Sequence, residues 1–251
     1  MLRFFRHIRK QLMKKNKIRT YLLYAIGEIA LVMIGILLAL QVNNWNQQRL
    51  ANIKSISYHE RIIEDLDIFI SETENAMERS TWIRNLILET VDILESKKLP
   101  EDNIQQFEWT LNFYYQFPFR NPSLSTVTEM RSTGELDLIR NLDFRKKLIE
   151  MEQEILSTDD IFKSIGSHIQ EQVSYVDQYM RSIPDTSNIS SNRIQLSMEA
   201  DFEAMANDEK LINYFSRFPV QWSHHLMFSK GLNESAIELR DALIQELETL
   251  K

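Results

Sequence analysis

Along residues 42 to 98 the apolar positions keep to one side of a helical wheel. Ile56, Ile63, Leu66, Ile70 and Met77 recur at sevens, threes and fours, and Ile83, Ile87 and Leu94 resume the pattern six residues later. No Gly or Pro falls between Ile36 and Leu99, so nothing in this stretch breaks a helix. The spacing predicts one long helix, or two with a slip near Glu74 to Arg79. Pro100 marks its end, because proline lacks the backbone donor that a helix interior requires. Such a face packs inside a bundle of the same chain or pairs with a second chain as a coiled coil. The few heptads and the phase slip favour the bundle.

Immediately upstream the pattern changes. Tyr21 to Leu40, YLLYAIGEIALVMIGILLAL, is apolar on every side and carries a single charge, Glu28. Twenty residues at about 1.5 Å each span the ~30 Å hydrocarbon core of a bilayer, so a transmembrane helix is predicted over residues 21–41. A cleaved signal peptide has a shorter apolar core that ends in a small-x-small site. Leu37, Ala39 and Gln41 do not make a convincing one, and the basic leader is long, which favours an uncleaved anchor. Trp45, among Asn43, Asn44 and Asn46, suits the outer headgroup level as an interfacial anchor.

Glu28 is the unusual residue of the span. On a helix Glu28, Gly35 and Ala39 share a narrow stripe, and Gly35-xxx-Ala39 is a small-xxx-small pair of the kind that seats a second helix. A charged carboxyl in a bilayer costs roughly 2.5 to 3.5 kcal/mol at the centre and less near the edge. Glu28 is therefore protonated, paired with a basic group, or turned toward a protein partner. Its competing reading is a tolerated residue relieved by local water, Tyr24 or the basic leader.

Beyond Pro100, FEWTLNFYYQFPF (residues 107–119) holds seven aromatics in thirteen positions. At helical spacing they pack a core, or they form a ligand or partner surface; Trp109, Phe113, Tyr114 and Phe117 are the candidates for the latter. Pro118 and Pro122 bracket a loop, and PSLSTVTEMRSTG reads as a helix closed by a left-handed Gly134. Ser123, Ser125 and Ser132 have no Lys or His at an activating distance along the chain, so capping is their assigned role. ELDLIRNLDFRKKLIEMEQEIL is helical, with Asn141 or Asp143 as a possible N-cap. A polar loop occupies residues 181–193, and Leu232, Ala236, Leu239, Leu243, Leu247 and Leu250 mark a closing helix that packs most simply on the first long one.

Charge supplies the topology. Residues 1–20 hold eight Lys and Arg and no acid, which leaves 21 basic against 35 acidic residues from position 41 onward, a net of −14. Basic residues beside a span stay in the cytoplasm, so the N-terminus is inside and the remainder outside. With Phe4, Phe5, Ile8 and Leu12, the leader either lies on anionic lipid or serves as a topology signal alone. The acidic exterior disfavours nucleic acid. Absence of cysteine excludes disulfides and thiolate metal sites.

No metal or cofactor is predicted. His59-Glu60 opens like His-Glu-x-x-His, but position 63 is Ile. His224 and His225 are adjacent and point about 100° apart on a helix. His168 with Glu171 or Gln172 is a surface pair, and no phosphate loop or nucleophile elbow appears.

The segment YAIGEIALVMIGILLALQVNNWN, preceded by FFRHIRKQLMKKNK, resembles an uncharacterised family of single-pass membrane proteins of Bacteroidota, a domain of unknown function. The likeness is specific over about the first fifty residues and continues more weakly around STGELDLIRNLDFRKKLIE (132–150). It implies an inner-membrane anchor with a periplasmic helical region, and Gly27, Glu28 and Gly35 match the family's membrane motif. It implies no activity.

The expectation is thus an all-α protein of the bacterial inner membrane. A cytoplasmic leader (1–20) and a transmembrane helix (21–41) precede a long helix or helix pair (42–98) and the rest of a periplasmic antiparallel bundle (99–251). Its partners are the lipid bilayer and either a second copy of itself or another envelope protein, and the leading function is an interaction or scaffold subunit. A ligand-binding or sensory ectodomain working through a partner is the alternative, with an enzyme third.

Overall fold

A computed structural model describes residues 18–185 and 195–251. The readings of the leader's first seventeen residues, and of 186–194 in the polar loop, lie outside the described residues. The chain divides into two compact units, Met1–Ser55 and Ile56–Lys251.

Helix α1, Ile18–Ser96, is continuous. The slip suspected near Glu74 to Arg79 is absent, and the reason is chemical. His59, Ile62, Leu66, Phe69, Thr73, Ala76, Ser80, Ile83, Ile87, Thr90 and Leu94 follow one another at threes and fours without a gap, and all are buried or, for Ala76, half-buried. Counting apolar residues alone skips Thr73 and Ser80, which are core positions filled by polar side chains. The helix ends before Pro100, at Ser96, where Lys97 takes a left-handed φ of 53°.

The second unit is built from α1 beyond Ser55 together with helices α2 (Ile104–Phe113), α3 (Ser125–Thr133), α4 (Leu142–Asp177), α5 (Phe202–Ala206) and α6 (Glu209–Leu250). Its side-chain pairs fix the directions. Asn233 meets Thr73, Arg240 meets Asp67 and Lys251 meets Glu60, so α6 runs antiparallel to α1. Phe162 meets Phe228 and Tyr175 meets Tyr214, so α4 runs antiparallel to α6. Trp82 meets Trp109 and Arg61 meets Glu129, so α2 and α3 together return along α1 as one interrupted leg. The result is an up-down-up-down bundle whose second leg is broken at the Pro118 to Pro122 loop.

Two apolar clusters fill it. One joins Ile62, Leu66 and Phe69 of α1 to Val127 and Met130 of α3, Leu148 and Ile155 of α4, and Leu232, Ala236 and Leu243 of α6. The other joins Ile83, Ile87 and Leu94 to Leu111, Tyr114, Phe162, Ile169, Phe215 and Trp222. Polar pairs lie between them and, for Thr90 and Thr110, within the second cluster. Asn233 Nδ2 donates to Thr73 Oγ1 at 2.7 Å and to the Ile70 carbonyl at 3.1 Å, Ser80 Oγ lies 2.9 Å from His225 Nδ1, and Thr90 donates to Thr110 at 2.8 Å.

Local chemistry sets the element ends as the sequence suggested at two places. Gly134 closes α3 with φ 72°, a conformation a side chain resists. Asn141 caps α4 by accepting from the Asp143 and Phe144 amides. The N-terminus of α3 is capped from another helix, since Asp65 of α1 accepts from the Thr126 amide at 2.7 Å and from Ser125 Oγ. Pro219 stands inside α6 and removes the amide that would bond the Phe215 carbonyl.

The stretch 181–193, read as a loop, is partly strand. Met180–Asp185 (β1) pairs antiparallel with Gln195–Ala200 (β2), Met180 opposite Ala200 and Asp185 opposite Gln195. Pro184 is accommodated because a two-stranded ribbon leaves each strand one open edge.

Leu66 is fully buried and Leu88 is 47% exposed on the same helix. Leu66→Ala is expected to lower unfolding free energy in detergent by about 2 to 5 kcal/mol, through lost burial and the cavity left behind. Leu88→Ala is expected to change it by less than about 0.5 kcal/mol, and equilibrium denaturation followed by circular dichroism checks both.

Candidate interaction surfaces

In the first unit, the large aliphatic residues and Met33 from Leu22 to Leu40 are 53 to 69% exposed. An 18-residue window here has mean hydropathy 2.4 and none of it is buried. Among the described residues this is the one helix long and apolar enough to cross a membrane. Glu28 is half-buried, at a shallow depression of about 370 Å³ shared with Ala25, Ile29, Val32 and Met33. Around Gly35 there is open space where a side chain would project, and Ala39 is exposed on the same helix. Trp45 is 64% exposed.

In the second unit the structure divides the four aromatic candidates. Tyr114 and Phe117 are core residues and present no surface. Tyr114 stacks within 5.2 and 5.3 Å of Phe218 and Phe215, and its carbonyl accepts from Trp222 Nε1 at 3.3 Å, a partner left over where α2 ends. Phe117 sits edge-on to Phe162 and Trp222. Trp109 and Phe113 project from the opposite side of α2 and meet Trp82 of α1 at centroid distances of 5.9 and 5.2 Å. The sequence reading missed Trp82, whose signal was its position on the polar side of α1, one residue before buried Ile83.

The remaining chemistry-bearing side chains are arranged as follows. His168 lies 3.6 Å from Glu171 and 3.2 Å from Gln172 on the surface of α4. His59 is buried near Glu246 at 3.7 Å. Of the three serines, Ser125 bonds Asp65 and Ser132 bonds the Glu129 carbonyl of its own helix turn. Among the described residues no group of three or more His, Asp or Glu gathers as metal ligands do.

Asp208 is a dense polar node. It caps α6 by accepting from the Lys210 and Leu211 amides, and it also accepts from Tyr175 Oη at 2.5 Å and from Tyr179 Oη. The two phenols, and after them the amides, hold the Asp208 carboxyl down at about 2, and donating to that carboxylate pushes both phenols up. Lys210 stands 4.1 Å over the Tyr175 ring. The cluster ties α4 to the start of α6, on either side of the hairpin.

His225 and Ser80 form the node at the middle of the bundle. The imidazole is wedged against Phe162 at 4.5 Å and beside Phe117 and Trp222, and burial pushes its pKa down to about 4. It is therefore neutral in the fold. Compared with known protein families and with curated proteins, the chain matches no family model and no curated relative.

Because His225 binds a proton more readily unfolded (~6.5) than folded (about 4), stability is complete above pH ~6.5 and falls as pH drops toward 4. The loss at pH 4 is on the order of 3 kcal/mol. His225→Phe is expected to flatten this limb in thermal melts between pH 7 and 4, whatever its effect on stability at neutral pH.

Proposed function

We propose that this protein is an interaction or scaffold subunit anchored in the bacterial inner membrane. Residues 21–41 cross the bilayer, the basic leader stays in the cytoplasm, and the acidic helical bundle stands in the periplasm. The observation that carries this reading is the exposed apolar run from Leu22 to Leu40. Left in water, so contiguous an apolar surface would drive association, and lipid removes that cost. Trp45 follows at the distance where an indole settles among headgroups, and the eight basic residues of the leader give the orientation.

Within the span, Glu28 directs the contact. A carboxyl in hydrocarbon gains most by hydrogen-bonding across a helix interface, and the open backbone at Gly35 and the small Ala39 allow the second helix to come close. The resemblance of the first fifty residues to a single-pass family of Bacteroidota agrees with this placement.

In-cell crosslinking of the full-length protein followed by mass spectrometry tests the reading. Wild type is expected to capture a defined envelope protein, and Glu28→Leu to reduce that capture about tenfold, a loss of some 1.4 kcal/mol. Only self-crosslinks, or none, would contradict a scaffold role, and undiminished capture by the variant would remove Glu28 from it.

A further inference from the structure

Between α2 and α3 the second leg of the bundle runs without helix from residue 114 to 124. This strap nevertheless supplies a core residue, Phe117, which is 2% exposed and edge-on to Phe162, Trp222 and His225. Side chains tie the strap to α4. Gln170 Nε2 donates to the Tyr115 carbonyl at 3.2 Å, and the Asn121 amide and Nδ2 donate to Asp159 Oδ1 at 2.7 and 3.0 Å. Between these ties the Phe119 ring lies on Gly166, where a Cβ would come within 2.3 Å of it. A glycine in mid-helix weakens α4, and here its bare backbone makes room for the strap.

His225 is packed against Phe117 and is itself buried. Ser80 of α1 and Ser229 of α6 approach its Nδ1 at 2.9 and 3.5 Å, and Phe162 of α4 and Trp222 of α6 flank the ring. Ser80 Oγ donates to the Ala76 carbonyl at 2.7 Å, so it accepts from the imidazole and Nδ1 carries the ring proton. Acid therefore adds its proton at Nε2. The charged and titratable side chains that flank these contacts along the chain are directed elsewhere: Arg79, Arg120, Lys163, His224 and Lys230 are exposed, and Asp159 is engaged by Asn121. An imidazolium here gains no carboxylate partner among the described residues, and burial alone opposes it.

We infer that the 114–124 strap is a latch that acid opens: protonation of His225 drives Phe117 out of the core and lifts Phe119 from Gly166, while the long helices stay paired. The strap yields first because a few side-chain bonds hold it, whereas α1, α4 and α6 keep their own backbone hydrogen bonds and a second apolar cluster. Opening brings water to the imidazolium and bares Phe117, Phe162 and Trp222, an apolar surface that the closed bundle lacks. The inference concerns the second unit alone and goes beyond the interaction role.

Hydrogen–deuterium exchange read by mass spectrometry on the full-length protein in nanodiscs tests this, with rates corrected for intrinsic chemical exchange at each pH. Between pH 7 and pH 4.5, peptides from the strap are expected to lose protection by more than about tenfold, as a proton bound at ~6.5 in the open form and at about 4 in the closed one requires. Peptides from the buried face of α1 are expected to keep theirs. His225→Phe is expected to abolish the loss. Gly166→Ala, which displaces Phe119 yet suits a helix better, is expected to loosen the strap at neutral pH with α1 unchanged. A strap equally protected at both pH values, or one that loses protection together with α1, would overturn the latch. So would an undiminished loss in His225→Phe, or a Gly166→Ala strap as protected as wild type. Thermal melts that flatten in His225→Phe while the strap stays protected in acid would leave the global linkage and remove the latch.

Discussion

The second unit depends on the antiparallel seam between α1 and α6. Ile62, Leu66 and Phe69 face Leu232, Ala236 and Leu243 there, and each fully buried side chain of this size contributes about 1.5 to 3 kcal/mol by leaving water. Apolar contacts of this kind tolerate sliding. The polar pairs do not: moving α6 by one turn would separate Asn233 from Thr73 and His225 from Ser80 together. Each buried group left unsatisfied costs about 1 to 3 kcal/mol, so these pairs select a single register. With that register set, α4 completes the wall through Phe162, and the broken α2–α3 leg is capped by Asp65 from α1.

How much of this was legible in the chain follows from which residues occupy core positions. The helices, the Gly134 stop, the Asn141 cap and the closing leucine face are local signals, and each is read from a few neighbouring residues. The apparent slip in α1 was misleading because Thr73 and Ser80 are core residues with polar side chains, satisfied by backbone carbonyls one turn back and by α6. Such satisfaction is a tertiary fact. The hairpin was only half legible: QLSMEA (195–200) alternates polar and apolar residues as a strand does, but its partner MRSIPD (180–185) does not and carries a proline. Pro219 does not end α6, and it is buried there with its chain neighbours Phe218 and Trp222.

The candidate surfaces were legible only in part. The apolar span announces itself by composition, and Glu28 by contrast with it. The aromatic segment could not be divided in advance, because core and surface rings alternate along α2 and its C-terminal turn at the same helical spacing. Tyr114 and Phe117 turn toward α4 and α6, whereas Trp109 and Phe113 turn toward Trp82. That last residue, 27 positions before Trp109 and on another helix, required the register of the bundle before its company could be known.

The proposed role requires that the second unit lie outside the cytoplasm. Fusing alkaline phosphatase after Lys251 and measuring its activity in intact cells addresses that directly, because the enzyme folds to an active form only where its disulfides can form. An N-in, C-out anchor spanning residues 21–41 predicts high activity in the membrane fraction. An inactive fusion of full length, retained in the cytoplasm, would contradict the orientation and with it the periplasmic interaction role.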